Sequence, residues 1–210
     1  MTELADDGLV RCPWSTGSQL YRDYHDTEWG RPLHGDDALF ERLCLEAFQS
    51  GLAWITILRK RPAFRAAFAG FEIAKVAEFD DTDRARLLAD PGIVRNRAKI
   101  DAAIANAKVA RDLPVRLDEL LWSFAPAPRP RPAAVADVPA TTPESIALAK
   151  ELKRRGFAFV GPTTAYALMQ ATGMVDDHLA VCWVRAAGTG TDSGVTFRTQ
   201  VSARDGNREE

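Results

Sequence analysis

Four side chains in this sequence carry the donor chemistry of a metal site: Cys12 and His25 near the start, His178 and Cys182 near the end. Residues four apart on a helix share a face, so His178 and Cys182 can offer an imidazole and a thiolate to one ion. Two sulfur and two nitrogen ligands suit tetrahedral zinc. With four protein ligands no position is left for an activated water, so the expected role is structural, fastening the N-terminal segment to the last helix. On spacing alone the alternative stays open: a buried free cysteine beside a core histidine, with Cys12 unrelated. His34, in a loop next to Gly35, reads as solvated.

A second chemistry centres on Glu46. It follows Leu43 by three residues and Leu39 by seven, which puts a carboxylate at or near the apolar face of its helix. That position is costly unless the acid is paired or binds something. One reading is a rim acid or salt-bridge partner. The other is a partly buried carboxylate that prefers a flat cation, such as an alkylated purine, to a neutral base. Trp14, Tyr21, Tyr24, Trp29 and Trp54 are either core fillers or stacking walls around such a base, and their clustering in the polar 11–30 segment favours the second use.

A third pattern is basic. Arg59-Lys60-Arg61 with Arg65, Arg95-x-Arg97-x-Lys99, Arg129 with Arg131, and Lys153-Arg154-Arg155 each read as a solvated face or a phosphate contact. The last abuts Gly156-Phe157-Ala158-Phe159-Val160-Gly161-Pro162-Thr163-Thr164, a short glycine-bounded turn between two helical patterns. Amides of Gly156 and Gly161, with Thr163 and Thr164 at the next helix start, form a candidate anion site. Pro162 has no amide to give. The arrangement reads as a helix-hairpin-helix that grips DNA backbone without reading sequence.

The elements that must hold these groups are helices. Asp36 is expected to cap a helix that ends at Gly51, and a second helix spans 53–68, with Pro62 kinking or dividing it. Short helices follow at 73–79 and 81–88, then a longer one from Arg95 to Arg111 and another at 117–124. The proline-rich stretch 126–139 is an extended connector. Thr142-Pro143-Glu144 starts the next helix, Thr163 to Ala171 form another, and Asp176 caps a last helix carrying His178 and Cys182. Period-2 alternation is nearly absent, so the fold class is all-α, a single domain over residues 11–187. Residues 1–10 and 188–210 read as disordered.

Composition sets bounds. The 210 residues are 46% hydrophobic and 27% charged, with 27 basic against 29 acidic side chains, an ordinary soluble balance. The near-neutral total speaks mildly against nucleic acid, but a local positive face can still bind phosphates. No apolar run approaches the roughly 18 residues of a membrane span. An acidic start without a secretion signal, and three cysteines that cannot all pair, lead to an expected cytoplasmic location without disulfides.

The sequence resembles the bacterial 3-methyladenine DNA glycosylase I family, a zinc-containing branch of the helix-hairpin-helix glycosylases. The resemblance lies in Arg11–Trp14, the run Tyr24-His25-Asp26-Thr27-Glu28-Trp29-Gly30, residues 45–56 around Glu46, 92–100, 121–124, the hairpin 155–161, and Asp177-His178. It covers about residues 11–185. It implies Cys12, His25, His178 and Cys182 as zinc ligands, one ion per chain. It implies Glu46 as the base-binding and catalytic acid, and Trp14, Tyr21, Tyr24 and Trp54 as pocket aromatics, with Trp29 in the same motif. The implied partners are double-stranded DNA bearing an alkylated purine and the free 3-methyladenine released from it, acted on by a monomer. Two departures stand out: the hairpin is atypical for its superfamily, and Phe48 occupies a position where members often have a polar residue.

The implied reaction is monofunctional hydrolysis of the N-glycosidic bond, the first step of base excision repair of alkylation damage. Rival readings are a non-catalytic zinc-stabilised DNA-binding module, and an unrelated glycoside hydrolase needing a second acid, Asp26 or Glu28, across from Glu46.

Overall fold

The computed structural model describes residues 7–184, and these form an all-α fold around one principal core. The helices are α1 (Gln19–Thr27), α2 (Asp36–Gln49), α3 (Trp54–Ala67), α4 (Ile73–Ala77), α5 (Asp81–Ala89), α6 (Arg97–Arg111), α7 (Leu117–Trp122), α8 (Pro143–Arg154) and α9 (Pro162–Ala171). The expected tail at 188–210 lies outside the described residues. Within the leader, residues 7–10 are placed: Asp7 pairs with Arg11 at 2.7 Å, and Val10 accepts the Trp183 amide at 2.9 Å.

α2 is the central helix. Leu39, Phe40, Leu43, Cys44, Leu45 and Phe48 are all fully or almost fully buried, too many for one stripe, because neighbours pack around it on several sides. Phe48 meets Phe64 and Phe68 at ring separations of 4.7 and 5.7 Å, and Phe68 stacks on Phe71 at 5.2 Å. Its hydrophobic side chain therefore belongs to the phenylalanine core between α2 and α3. The residue before α2 is Gly35; Asp36, expected as its cap, is instead the first helical residue. Its carboxylate accepts the Asp118 amide at 3.0 Å while Asp118 accepts the Gly35 amide at 2.6 Å, so α2 and α7 cap each other. Asp118 also takes His34 Nδ1 at 3.0 Å, and that ring stacks on Trp122 at 4.5 Å. His34 remains exposed but is anchored, where the sequence suggested mere solvation.

α3 runs through Pro62 without dividing. Asn96 caps α6 by accepting from the Lys99 amide at 3.1 Å. The Thr142 cap forms as expected, its hydroxyl and that of Ser145 each accepting the other's amide, with Pro143 at the first turn.

The last helix is the element the sequence misplaced. Residues 172–184 form turns and bends. Gly173 has φ +72°, and a Cβ there would stand 2.5 Å from the Arg31 carbonyl carbon, so the chain turns sharply against the loop after α1. Beyond it the amides bond across the molecule. Leu179 N–H donates to Cys12 Sγ at 3.4 Å, Ala180 N–H to Pro132 O at 2.9 Å and Trp183 N–H to Val10 O at 2.9 Å. Donors engaged with three distant segments are not available for an i to i−4 ladder. His178 and Cys182 are thus brought together by this irregular segment.

Candidate functional site

Cys12, His25, His178 and Cys182 are all buried, and their donor atoms lie within 4.8 Å of one another. His25 Nε2 and His178 Nδ1 are 3.2 Å apart. Cys182 Sγ is 3.5 Å from His25 Nε2 and 3.6 Å from His178 Nδ1, and Cys12 Sγ is 3.8 Å from His178 Nδ1. Tetrahedral bonds of about 2.3 Å to sulfur and about 2.0 Å to nitrogen place donor atoms about 3.3–3.8 Å apart. The observed separations fit one metal ion.

The outer nitrogens fix the ring orientations. His25 Nδ1 faces Asp26 Oδ1 at 2.7 Å, and Asp26 is itself held by Arg11 at 2.8 Å. His178 Nε2 faces the Trp29 carbonyl at 3.1 Å. With those nitrogens protonated, both lone pairs turn inward, as metal-bound imidazoles require. The cluster ties the 11–30 segment to the segment after α9.

Beside it lies a cavity of about 410 Å³ lined by Cys12, Trp14, Tyr21, Tyr24, Trp29, Glu46, Gln49, Trp54, Gln170 and Asp177, among others. α1 carries alternate duties: Tyr24 turns to the cavity and His25 to the cluster. Trp14 stands edge-on to Tyr21 at 5.6 Å and to Trp29 at 5.0 Å, and Tyr24 is 5.5 Å from Trp54. Tyr21 is fixed by accepting the Ile55 amide at 2.9 Å.

Glu46 is 5% exposed, and no described residue hydrogen-bonds its carboxylate. Burial pushes its acid up to about 7, with Arg42 one turn earlier on α2 acting in the opposite direction. Trp54 Nε1 is buried without a partner among the described residues. An aromatic-walled cavity with a buried carboxylate that no described residue hydrogen-bonds is chemically suited to a flat, cationic, hydrogen-bonding ligand.

α8, the turn after it and α9 form the hairpin. Gly156 adopts φ +101°, the left-handed form that favours glycine. Asn106 of α6 clamps the turn, donating to Ala158 O at 3.0 Å and accepting its N–H at 2.8 Å. Gly156, just beyond α8, is exposed, but its amide donates to Lys153 O at 3.0 Å and is not available for the anion site the sequence suggested; Thr163 is exposed and Gly161 and Thr164 are half-buried, at the end of α9 far from Gln170, which reaches the cavity.

A family model described as methyladenine glycosylase matches residues 14–186. The chain belongs to the methyladenine glycosylase family. It is 43% identical over 179 residues to the DNA-3-methyladenine glycosylase of Haemophilus influenzae, covering 82% of this chain and 96% of that one. It is 44% identical to DNA-3-methyladenine glycosylase 1 of Escherichia coli over 83% of this chain and 96% of that one. Among solved structures, 3-methyladenine DNA glycosylase I superposes with a TM-score of 0.79 at 43% identity, covering 82% of this chain and 98% of that one. The Staphylococcus aureus 3-methyladenine DNA glycosylase I, described for its recognition of 3-methyladenine, gives 0.79 at 35% identity over 83% and 95%.

Within this glycosylase framework the cavity gathers all six predicted base-site residues: Trp14, Tyr21, Tyr24, Trp29, Glu46 and Trp54. Asp26 and Glu28 do not line it. Asp26 serves His25 and Arg11, and Glu28 pairs with Arg61 at 2.6 Å and with Arg42 at 3.4 Å. Sequence reasoning missed Gln49, Asp177 and Arg42. Gln49 follows Glu46 by three residues, the spacing that places it on the same face. Asp177 lines the cavity as a second carboxylate, but its oxygens accept from Tyr166, from Gln170 at 2.9 Å and from Arg129 at 2.8 Å.

Most of the basic clusters prove to be internally committed. Arg65 pairs with Glu41, Arg131 with Asp176, and Arg154 and Arg155 with Glu151. Lys99 is buried and donates to Phe48 O and Ser50 O at the end of α2. Arg59, Arg95, Arg97 and Lys153 are exposed.

Proposed function

We propose that this protein is a monofunctional DNA glycosylase that hydrolyses the N-glycosidic bond of 3-methyladenine in double-stranded DNA. The observation that carries this reading is Glu46, a buried carboxylate with no donor among the described residues, in an aromatic-walled cavity. Purine methylated at N3 is a cation in DNA, so an ionised Glu46 attracts it more strongly than neutral adenine and accepts from its amino group. Trp14, Tyr24 and Trp54 enclose the flipped base and Tyr21 braces the wall, while Gly161, Thr163 and Thr164 hold backbone phosphate and position the duplex.

In the reaction the bond from the sugar C1′ to the base nitrogen breaks. Its electron pair neutralises the departing cation, water forms the new C1′–oxygen bond, and the water proton passes to solvent. The lesion already leaves readily, so Glu46 contributes mainly by binding and charge. The cluster's donor set of two thiolates and two imidazoles suits zinc, with Cys12, His25, His178 and Cys182 as ligands. The ion would serve as a closed structural clip and supply no chemistry to the cavity.

The test is a duplex carrying a single 3-methyladenine. Release of free base, with the strand intact until alkali cuts the abasic site, is expected. A bound but uncut lesion would favour a non-catalytic DNA-binding module. Elemental analysis should find one zinc per chain.

A further inference from the structure

We propose that Phe159, held out at the tip of the hairpin, packs its ring on a deoxyribose of the DNA strand the hairpin grips, adding an apolar, salt-insensitive contribution to duplex binding. This rests on the reading of the chain as a DNA glycosylase.

Among the described residues, the non-glycine residues at positive φ are Ala69, Phe71 and Phe159. The left-handed region crowds Cβ against the backbone, so a bulky residue there is an outlier whose cost something else must offset. For Phe71, at φ +59°, packing does so: it is fully buried, and its ring lies parallel to that of Phe68 at 5.2 Å. Phe159, at φ +57°, is different. It is 40% exposed, and its ring has no aromatic or cationic partner among the described residues.

The turn around it is fixed on both sides. Phe157 and Val160 are buried in the principal core, and the Phe157 amide donates to Leu152 O at 3.0 Å. Asn106, 1% exposed, clamps the Ala158 backbone through both its oxygen and its nitrogen. Relaxing residue 159 to negative φ would pull against these anchors. A glycine would fit the same turn without strain. The ring is therefore a cost to the free protein, and its exposure leaves a partner to offset it.

The groups on either side of the tip identify that partner. Lys153, exposed at the end of α8, precedes it, and Gly161, Thr163 and Thr164 at the start of α9 follow it. Cations, hydroxyls and helix-start amides are groups that bind phosphate. A ring set between them lies along the backbone of one strand, where the sugars supply the apolar surface. Its bulk also keeps the backbone at 159 from the close approach to phosphate that a glycine would permit. Contact at 159 is thus apolar and releases no counterion.

The test is fluorescence anisotropy of undamaged duplex, over a range of salt concentrations, with the full chain and with Phe159→Gly, Phe159→Ala and Phe159→Leu. Covering the exposed part of a phenylalanine side chain is worth about fivefold in affinity. Phe159→Gly should lose about that much at every salt concentration, with the slope of log affinity against log salt unchanged. Its melting temperature should stay level or rise by up to about 4 °C, because glycine relieves the strained backbone. Phe159→Ala should lose as much affinity, and Phe159→Leu should regain most of it. Affinity of Phe159→Gly and Phe159→Ala within about twofold of the parent, or a reduced salt slope, overturns the proposal. So does a loss confined to one of two duplexes of different sequence, since a sugar contact is common to both. Free 3-methyladenine should bind every variant as tightly as the parent by calorimetry, and a matching loss there would make the turn a support for the cavity and overturn the proposal. If Phe159→Gly does not fold, Phe159→Ala and Phe159→Leu decide by the same criteria. If the parent releases no 3-methyladenine from duplex DNA, the functional reading fails in the parent itself. A failure of the Phe159 inference shows only in the variants.

Discussion

Tyr24 and His25 are neighbours on α1, yet they serve regions that treat polar groups in opposite ways. Around His25 the ligand atoms converge and the outer ring nitrogens have partners, Asp26 for His25 and the Trp29 carbonyl for His178. Around Tyr24 the cavity holds the Glu46 carboxylate, which no described residue hydrogen-bonds, and the indole N–H of Trp54, one of its wall residues, has no partner among the described residues. The first region is organised to hold itself together. The second keeps buried polar capacity in reserve for a ligand, at a cost to the unliganded fold. Asp177 shows that the difference is local: it too lines the cavity, but three side chains saturate its oxygens.

The largest effect expected from this contrast is on the cluster. Cys182→Ala, or removal of the metal by a chelator, should lower the melting temperature by on the order of 10 °C, since a broken ligand set costs several kcal/mol. Thermal denaturation followed by circular dichroism measures this. Excision measured well below the new midpoint should change much less, and a variant that melts normally but has lost excision would make the cluster part of the active site.

Glu46→Gln should do the reverse. It is expected to lose roughly ten- to a hundredfold in affinity for free 3-methyladenine by calorimetry, since a charge-assisted hydrogen bond contributes about 1.5–3 kcal/mol. It should also stabilise the fold at high pH. The folded acid titrates near 7 against an ordinary value of 4.5, so between those values the folded chain binds more protons than the unfolded chain, and stability declines as pH rises across that window. Above pH 7 the variant should exceed the parent by up to about 3 kcal/mol, and below about pH 4.5 the difference should vanish. Urea unfolding at several pH values would reveal it. An unchanged difference across the range would mean that the carboxylate is not buried in its charged form.

The smallest effect concerns DNA. Lys153, exposed at the end of α8 beside the hairpin, should contribute one phosphate contact. Lys153→Ala is expected to weaken duplex binding severalfold and to reduce the slope of log affinity against log salt by about 1. Fluorescence anisotropy across salt concentrations tests this, and an unchanged slope would remove Lys153 from the interface.

Much of this was legible in the sequence because it depends on local patterns. The helical periodicity of α2 and α6 and the Thr142-Pro143 start of α8 reflect interactions within a few residues. The placement of Glu46 on an apolar face followed from its spacing to Leu39 and Leu43. Motif resemblance then joined Cys12 and His25 to His178 and Cys182, pairs that spacing alone left unconnected.

Three features were decided only by tertiary structure. His178 and Cys182 share an ion-sized space although no helix carries them, because the backbone donors nearby bond to Cys12, Pro132 and Val10. Arg65 and Arg131 could not be told from exposed cations until their acidic partners Glu41 and Asp176, tens of residues away, were in place. Arg42 reads in sequence as one more charge on a helix. Only the folding of α1 and α3 against α2 buries it between Tyr24, Trp54 and Glu28. Sequence determines which groups a helix presents on each face, since that depends on a repeat of 3.6 residues. Which distant groups those faces meet, and so which charges are neutralised, which donors are left over and which carboxylate is stranded, depends on packing between segments far apart in the chain.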